Sequence, residues 1–342
     1  EPVPIRSRTR EELQPIRSDT AQTTGRLVIT DVTRGRNMEG VNQGDIKKLL
    51  VMEQLPGPFH VSPGFDGISL WGIFTLSRVL GTVPVEADGS AHFEAPAMRS
   101  LYFVALDEND RAVKKMQSFV TLQPGETTSC VGCHEPRTTT PQNPGRASIA
   151  ALQRDPSPIT PIANQPDIVD FRRHIQPILD QHCVECHGPT DPDGGLNLAG
   201  LGSMPSHGAG RVALSYVSLI NLLGEIADGR NAHGNRIPRT TGSGVDGSLL
   251  MTRIDGSHYE VEVSSDEATT VRLWLDSGAA ANGTYAIMDG GTPERPSPNY
   301  IRELQRYGLL SPDFQQGVDP LDVYAADEAY WQTFWYEPQM HK

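Results

Sequence analysis

The chain has 342 residues, with 29 lysines and arginines against 42 aspartates and glutamates, for a formal net charge of −13. So acidic a surface repels nucleic acid and anionic membranes and suits a cationic partner, and no stretch approaches the 18 or so continuous apolar residues of a membrane span. With 33 glycines, 27 prolines and only 6% aromatic residues, the composition predicts short elements and many loops over two or three domains.

Residues 1–24 are polar and proline-bearing and read as an arm or linker. The opening Glu1-Pro2-Val3-Pro4 is no apolar signal sequence, which fits a cleaved mature form or a fragment of a longer chain. From residue 25 the pattern turns to β. Arg26–Thr30, Lys48–Glu53, Val83–Glu86, Ala91–Glu94, Leu101–Leu106 and Ser118–Leu122 are short runs rich in β-branched and apolar residues. Asp88-Gly89 is a hairpin turn signal between two of them. Runs at this spacing predict a small antiparallel β-sandwich over residues 25–137.

Residues 138–167 hold six prolines among threonines and asparagines and read as a linker. Residues 168–342 then show helical spacing. Phe171, His174, Ile175, Ile178 and Leu179 recur along one helix, which Pro177 should kink or restart. Ser264-Ser265-Asp266-Glu267 is a capping-box start, Ala268, Val271, Trp274 and Leu275 continue at helical spacing, and Gly278 stops the helix. Leu321–Tyr336 is aromatic-rich and reads as a helix docked on the body. The fold class is therefore α+β.

All four cysteines stand in one five-residue word written twice, Cys130-Val131-Gly132-Cys133-His134 and Cys183-Val184-Glu185-Cys186-His187. Cys-x-x-Cys-His is the attachment signal for a c-type haem. Two thiols form thioethers to the vinyl groups, and the histidine is placed to ligate the iron. Other chemistries fit less well. Zinc ribbons separate their cysteine pairs by about 15–20 residues, far less than the distance from Cys133 to Cys183. A thioredoxin-like pair explains one copy and needs no trailing histidine, and a disulfide inside Cys-x-x-Cys is strained. The expected cofactors are two covalent haems, with Cys130, Cys133, Cys183 and Cys186 as attachment points and His134 and His187 as iron ligands. Thioethers of this kind are made outside the cytoplasm, so a periplasmic or extracellular protein is expected.

The sixth iron ligands decide between carrying electrons and binding substrate. For the first haem, alternation along its strand turns His92 away from the sandwich core, and His60 lies on a loop, so His92, His60 or an open site are the readings. Met204 and Met251 are alternatives for the second haem. His174, His182, His207, His233 and His341 read as packed, solvated or propionate-facing, and Arg137 as a propionate partner. Asp191-Pro192-Asp193-Gly194-Gly195 resembles a calcium loop but lacks its spacing.

Several stretches resemble hydrazine synthase alpha-subunit-like multihaem cytochromes. They include Leu80–Glu86, Asp88–Phe93, Ala105–Glu108, Gln123–Glu126 running to Glu135, and Asp170-Phe171 through Ile178. Ser215-Tyr216, Trp274–Asp276, Gly283–Tyr285 and Tyr330–Tyr336 continue the likeness. It implies a β domain with the first haem, a helical cytochrome c-like domain with the second, and no amino-terminal propeller. It also implies His258 as distal ligand of the second haem. In the hydrazine-forming enzyme a tyrosine just downstream of the first motif ligates the iron, where this chain has Glu135-Pro136-Arg137-Thr138. The function expected is electron transfer between the two haems and a redox partner protein or neighbouring cytochrome subunit, with homo-oligomerisation open. The alternatives are nitrogen-compound or peroxide chemistry at a five-coordinate first haem, and a structural subunit of a redox assembly.

Overall fold

The computed structural model describes residues 16–35, 38, 40–59, 68, 75–116, 118–132, 148–205, 211–223, 225–226, 230–231 and 248–333. The chain is mixed α+β. Seven strands build its first half: β1 (Thr24–Ile29), β2 (Lys48–Leu55), β3 (Leu76–Pro84), β4 (Ala91–Pro96), β5 (Ser100–Leu106), β6 (Ala112–Lys115) and β7 (Thr127–Cys130). They form two sheets, ordered β4-β1-β7 and β3-β2-β5-β6. All of these pairings are antiparallel except β1 with β7, which run parallel, so the polar strand carrying Cys130 closes the smaller sheet. Ser118–Leu122 forms no strand. β6 occupies that edge of β5, and Val120 makes only a single bridge to Leu101.

Alternation along each strand makes a sandwich. Leu27 and Ile29 of β1 and Phe93 of β4 meet Leu49 and Val51 of β2 and Leu101 of β5 between the sheets. The other face of the larger sheet is not left to water. Leu50, Met52, Tyr102, Val104 and Leu106 pack against Phe171, Ile175, Tyr216 and Trp274 of the second half. β2 therefore reads as a nearly continuous apolar run because both of its faces are covered. At roughly 1.5–3 kcal/mol for each fully buried large apolar side chain, this layer is a main support of the whole chain.

The proline-bearing segment after residue 148 lies along the sandwich. Thr82 and Thr160 exchange backbone hydrogen bonds at 2.9 Å each way, and Ser157 bonds the carbonyl of His92 at 2.9 Å. Gly81 makes the approach possible, since a Cβ there would stand 2.2 Å from the carbonyl oxygen of Thr160.

The second half begins with a wide π-type turn, Phe171–Ile175, leading into α1 (Gln176–His182), with Pro177 in its first turn. Then come β8 (Ser203–Pro205), β9 (Arg211–Ala213), α2 (Leu214–Leu223), α3 (Leu249–Arg253), α4 (Ser265–Asp276), α5 (Pro298–Arg306) and α6 (Val323–Gln332). The expected capping box opens α4, with Ser264 and Glu267 satisfying each other's backbone N–H groups. Gly278 ends it with a positive φ of 99°, and its N–H bonds Leu275 while that of Ala279 bonds Trp274, a Schellman ending. A third cluster closes the end of the sandwich, where Leu55 and Leu76 meet Tyr285, Tyr300 and Trp331. Among the described residues no helix is long and apolar enough to cross a membrane.

Candidate functional site

The second motif grows out of α1. Cys183 and Val184 both donate backbone hydrogen bonds to Leu179, and His187 donates to Cys183 at 2.9 Å. The chain thus continues to turn through the motif, and residues three and four apart share a side of such a turn. Cys183, Cys186 and His187 are set together for that reason. Both thiols are free, Cys186 exposed and Cys183 half-buried, and burial pushes the Cys183 thiol up.

His187 is oriented from behind. Its Nδ1 lies 3.1 Å from the carbonyl oxygen of Asp193, so Nδ1–H donates and Nε2 keeps its lone pair outward. Gly194 and Gly195, with φ of 62° and 72°, let the chain turn sharply enough to bring that carbonyl back. The backbone of His187 is held too, accepting from Leu198 at 2.8 Å. Gln176 braces the same floor, donating to the carbonyl of Leu198 at 2.9 Å and accepting from the Ser215 hydroxyl at 2.6 Å.

Opposite His187 stands His258. The two rings lie 6.2 Å apart between centroids with their planes inclined by only 13°. His258 is carried by a strap closed by the Asp255–Glu262 bridge, with Val261 donating to its carbonyl and Ser257 bonding Thr252. Tyr259 and Glu260 in this strap both hold positive φ, 49° and 60°. Non-glycine residues pay about 1–2 kcal/mol each for that conformation, so the turn that presents His258 is a strained one. Around the site Leu201, Met204 and Leu214 stay largely open to solvent, an apolar surface suited to a flat apolar group. Met251 instead packs against the core.

The neighbouring histidines serve structure. His182 pairs with Glu267 at 3.1 Å, tying α1 to the start of α4, and Glu267 is held below the usual carboxylate range chiefly by the backbone N–H of Ser264. His174 accepts the Asp170 N–H at 2.9 Å, and burial lowers its pKa. Asp170 in turn takes hydrogen bonds from Arg173, Gly283 and Tyr324.

The first motif is described as far as Gly132. Cys133 and His134 lie outside the described residues, as do His60, His207, His233, Arg137 and His341. Cys130 ends β7 paired with Ile29 and packs against the sandwich core. His92 pairs with Val28, so it occupies the face opposite Cys130. Its Nδ1 is buried without a hydrogen-bond partner.

This sandwich region, first motif included, carries a family likeness. Residues 32–135 match the protein family described as hydrazine synthase alpha subunit middle domain. They form a middle domain of that type. The chain also resembles the solved structure of Kuenenia stuttgartiensis hydrazine synthase, with a TM-score of 0.56 at 19% identity. The likeness covers 77% of this chain and 44% of that one, so the chain spans less than half its length. No curated protein sequence matches the chain. The first motif thus closes the hydrazine synthase-type middle domain, whereas the second lies beyond it, in the helical half.

Two features of the second site escaped sequence reasoning. The Asp191–Gly195 loop, dismissed as a calcium-loop lookalike, supplies the carbonyl that orients His187. The signal was present in its paired glycines. The Gln176–Ser215 brace had no sequence signature at all.

Proposed function

We propose that the chain is an exported dihaem c-type cytochrome that transfers electrons between its two covalent haems and an external redox partner. One observation carries the reading, the disposition of His187 and His258. With about 2 Å from a ring nitrogen to a first-row metal and roughly 1 Å more to the ring centre, two imidazoles on one iron stand about 6 Å apart. The 6.2 Å between these rings, and their near-parallel planes, fit one iron held between them. A haem bound there supplies one-electron ferric–ferrous chemistry.

The chain's own residues make that chemistry a carrier's. Cys183 and Cys186 hold the porphyrin edge, and the Asp193 carbonyl holds a proton on His187 Nδ1 and leaves Nε2 to bind. The strained strap keeps His258 at the opposite position. With both axial positions taken, substrate has no place on that iron.

The match of the middle domain to the hydrazine synthase family favours a second reading, nitrogen-compound chemistry at the first haem. Optical spectra with carbon monoxide separate the two. Two low-spin ferrous haems inert to carbon monoxide support the carrier. Stoichiometric binding at one haem, retained when His258 is intact, supports the enzyme.

A further inference from the structure

The end of the sandwich where β7 delivers Cys130 gathers an unusual set of side chains. The Val131 carbonyl accepts the Thr30 hydroxyl at 2.7 Å, and Gly132 packs on the backbone of Arg34. Across the rim, Asp88 and Ser90 of the β3–β4 turn take the N–H groups of Ala150 and Ala151 at 3.1 and 3.0 Å. Arg154 follows. Its Nε bonds Glu86 at 2.7 Å, and its Nη1 bonds the carbonyls of His92 and Asp155 at 3.2 and 2.8 Å.

Two polar atoms are left over. Arg154 Nη2 and His92 Nδ1 are buried, and neither has a hydrogen-bond partner. A buried polar group left so costs about 1–3 kcal/mol. Both are nitrogens able to donate, and both belong to one locus, since the Arg154 guanidinium is bonded to the carbonyl of His92. The nearby acids are already engaged, Glu86 by Arg154, Asp31 by Thr33, and Asp88 by Ser90 and Ala150. The pair therefore calls for an anionic acceptor from outside the polypeptide.

Register supplies the distance. Ile29 pairs with Cys130 on one side and with Ala91 on the other. Cys130 and the start of β4 are thus two strand spacings apart, about 10 Å, the span from the thioether edge of a porphyrin to its carboxylate edge. We propose that Arg154 and His92 form the carboxylate-binding end of the first haem's site, Nη2 and Nδ1 each donating to a propionate. This rests on the reading that the first motif carries a haem. It assigns His92 to the porphyrin's rim instead of its iron. An iron-ligating histidine has its other nitrogen held, as His187 has by Asp193, and His92 has no such support.

The test uses the holo protein and two variants, Arg154→Gln and His92→Leu, with each haem's midpoint potential read by optical titration. Losing a donor leaves propionate charge unsupported and favours ferric iron. Both variants are expected to lower the first haem's midpoint and leave the second's in place. Unchanged midpoints in both variants overturn the proposal. Titration of the holo protein with inorganic phosphate addresses the other source of the same chemistry. No binding is expected, and binding that Arg154→Gln abolishes would assign the pair to a free oxyanion and overturn it. A Cys130→Ser chain still carrying two thioether-linked haems would instead overturn the haem reading of the motif.

Discussion

Asp327 on α6 accepts the hydroxyl of Tyr300 on α5 at 2.8 Å, with both side chains fully buried. Its other oxygen takes the Thr284 hydroxyl at 2.6 Å and the Tyr285 N–H at 2.9 Å. One carboxylate thus ties α6 to two other segments, and burial pushes its pKa up to about 6. Asp327→Ala orphans three donors at once. At about 1–3 kcal/mol for a buried group left unpaired, the variant should lose on the order of 3 kcal/mol or more in urea denaturation. An unchanged midpoint would mean the network is dispensable.

Glu53 sets a pH dependence. It is fully buried on β2 with Arg99 3.4 Å away, and burial outweighs Arg99 and Arg78 to push its pKa from 4.5 up to about 7. The folded state therefore holds a proton that the unfolded state releases earlier. The resulting stability is complete below pH 4.5 and is lost as pH rises through 7, in total on the order of 3 kcal/mol. Glu53→Gln should abolish this loss. Parallel stability curves for the two proteins between pH 4.5 and 8 would contradict the assignment.

His258→Ala should open one axial position. The second haem is expected to become high-spin, and its ferrous form to bind one additional equivalent of carbon monoxide per chain. His258→Met should keep six-coordination and raise the midpoint. If the alanine variant stays low-spin and inert, another residue supplies the sixth ligand.

Gly81→Ala should be costly beyond its size. Its φ of 134° lies where a Cβ is penalised, and that Cβ would collide with Thr160. The Thr82–Thr160 pairing must break or shift, so a loss of at least about 2 kcal/mol is expected. Faster hydrogen exchange at the Thr82 and Thr160 amides would localise the damage. Protection equal to that of the unmodified chain would refute it.

Local chemistry made much of this legible. The Ser264–Glu267 capping box and Gly278 announced α4 because caps act through neighbours a few residues away. Asp88-Gly89 announced its hairpin for the same reason, with Gly89 at φ 81°. Non-local pairing was harder to see. β7 is Thr-Thr-Ser-Cys, with no apolar alternation, and exists because β1 offers it a parallel edge. The placement of His258 against His187 depends on a strap whose strained residues, Tyr259 and Glu260, carry no glycine to advertise them. Periodicity also could not show that the larger sheet is covered twice, since an apolar run such as Leu49–Met52 does not name its partners.

That double covering has a kinetic meaning. Cys130 abuts one side of the sandwich, and Cys183 packs into the layer built on its far side, with β2 and β5 shared between the two cores. Packing of this kind leaves no swivel between the motifs. Exchange between groups attached at them would proceed across a separation fixed by the fold, so its rate should be indifferent to solvent viscosity.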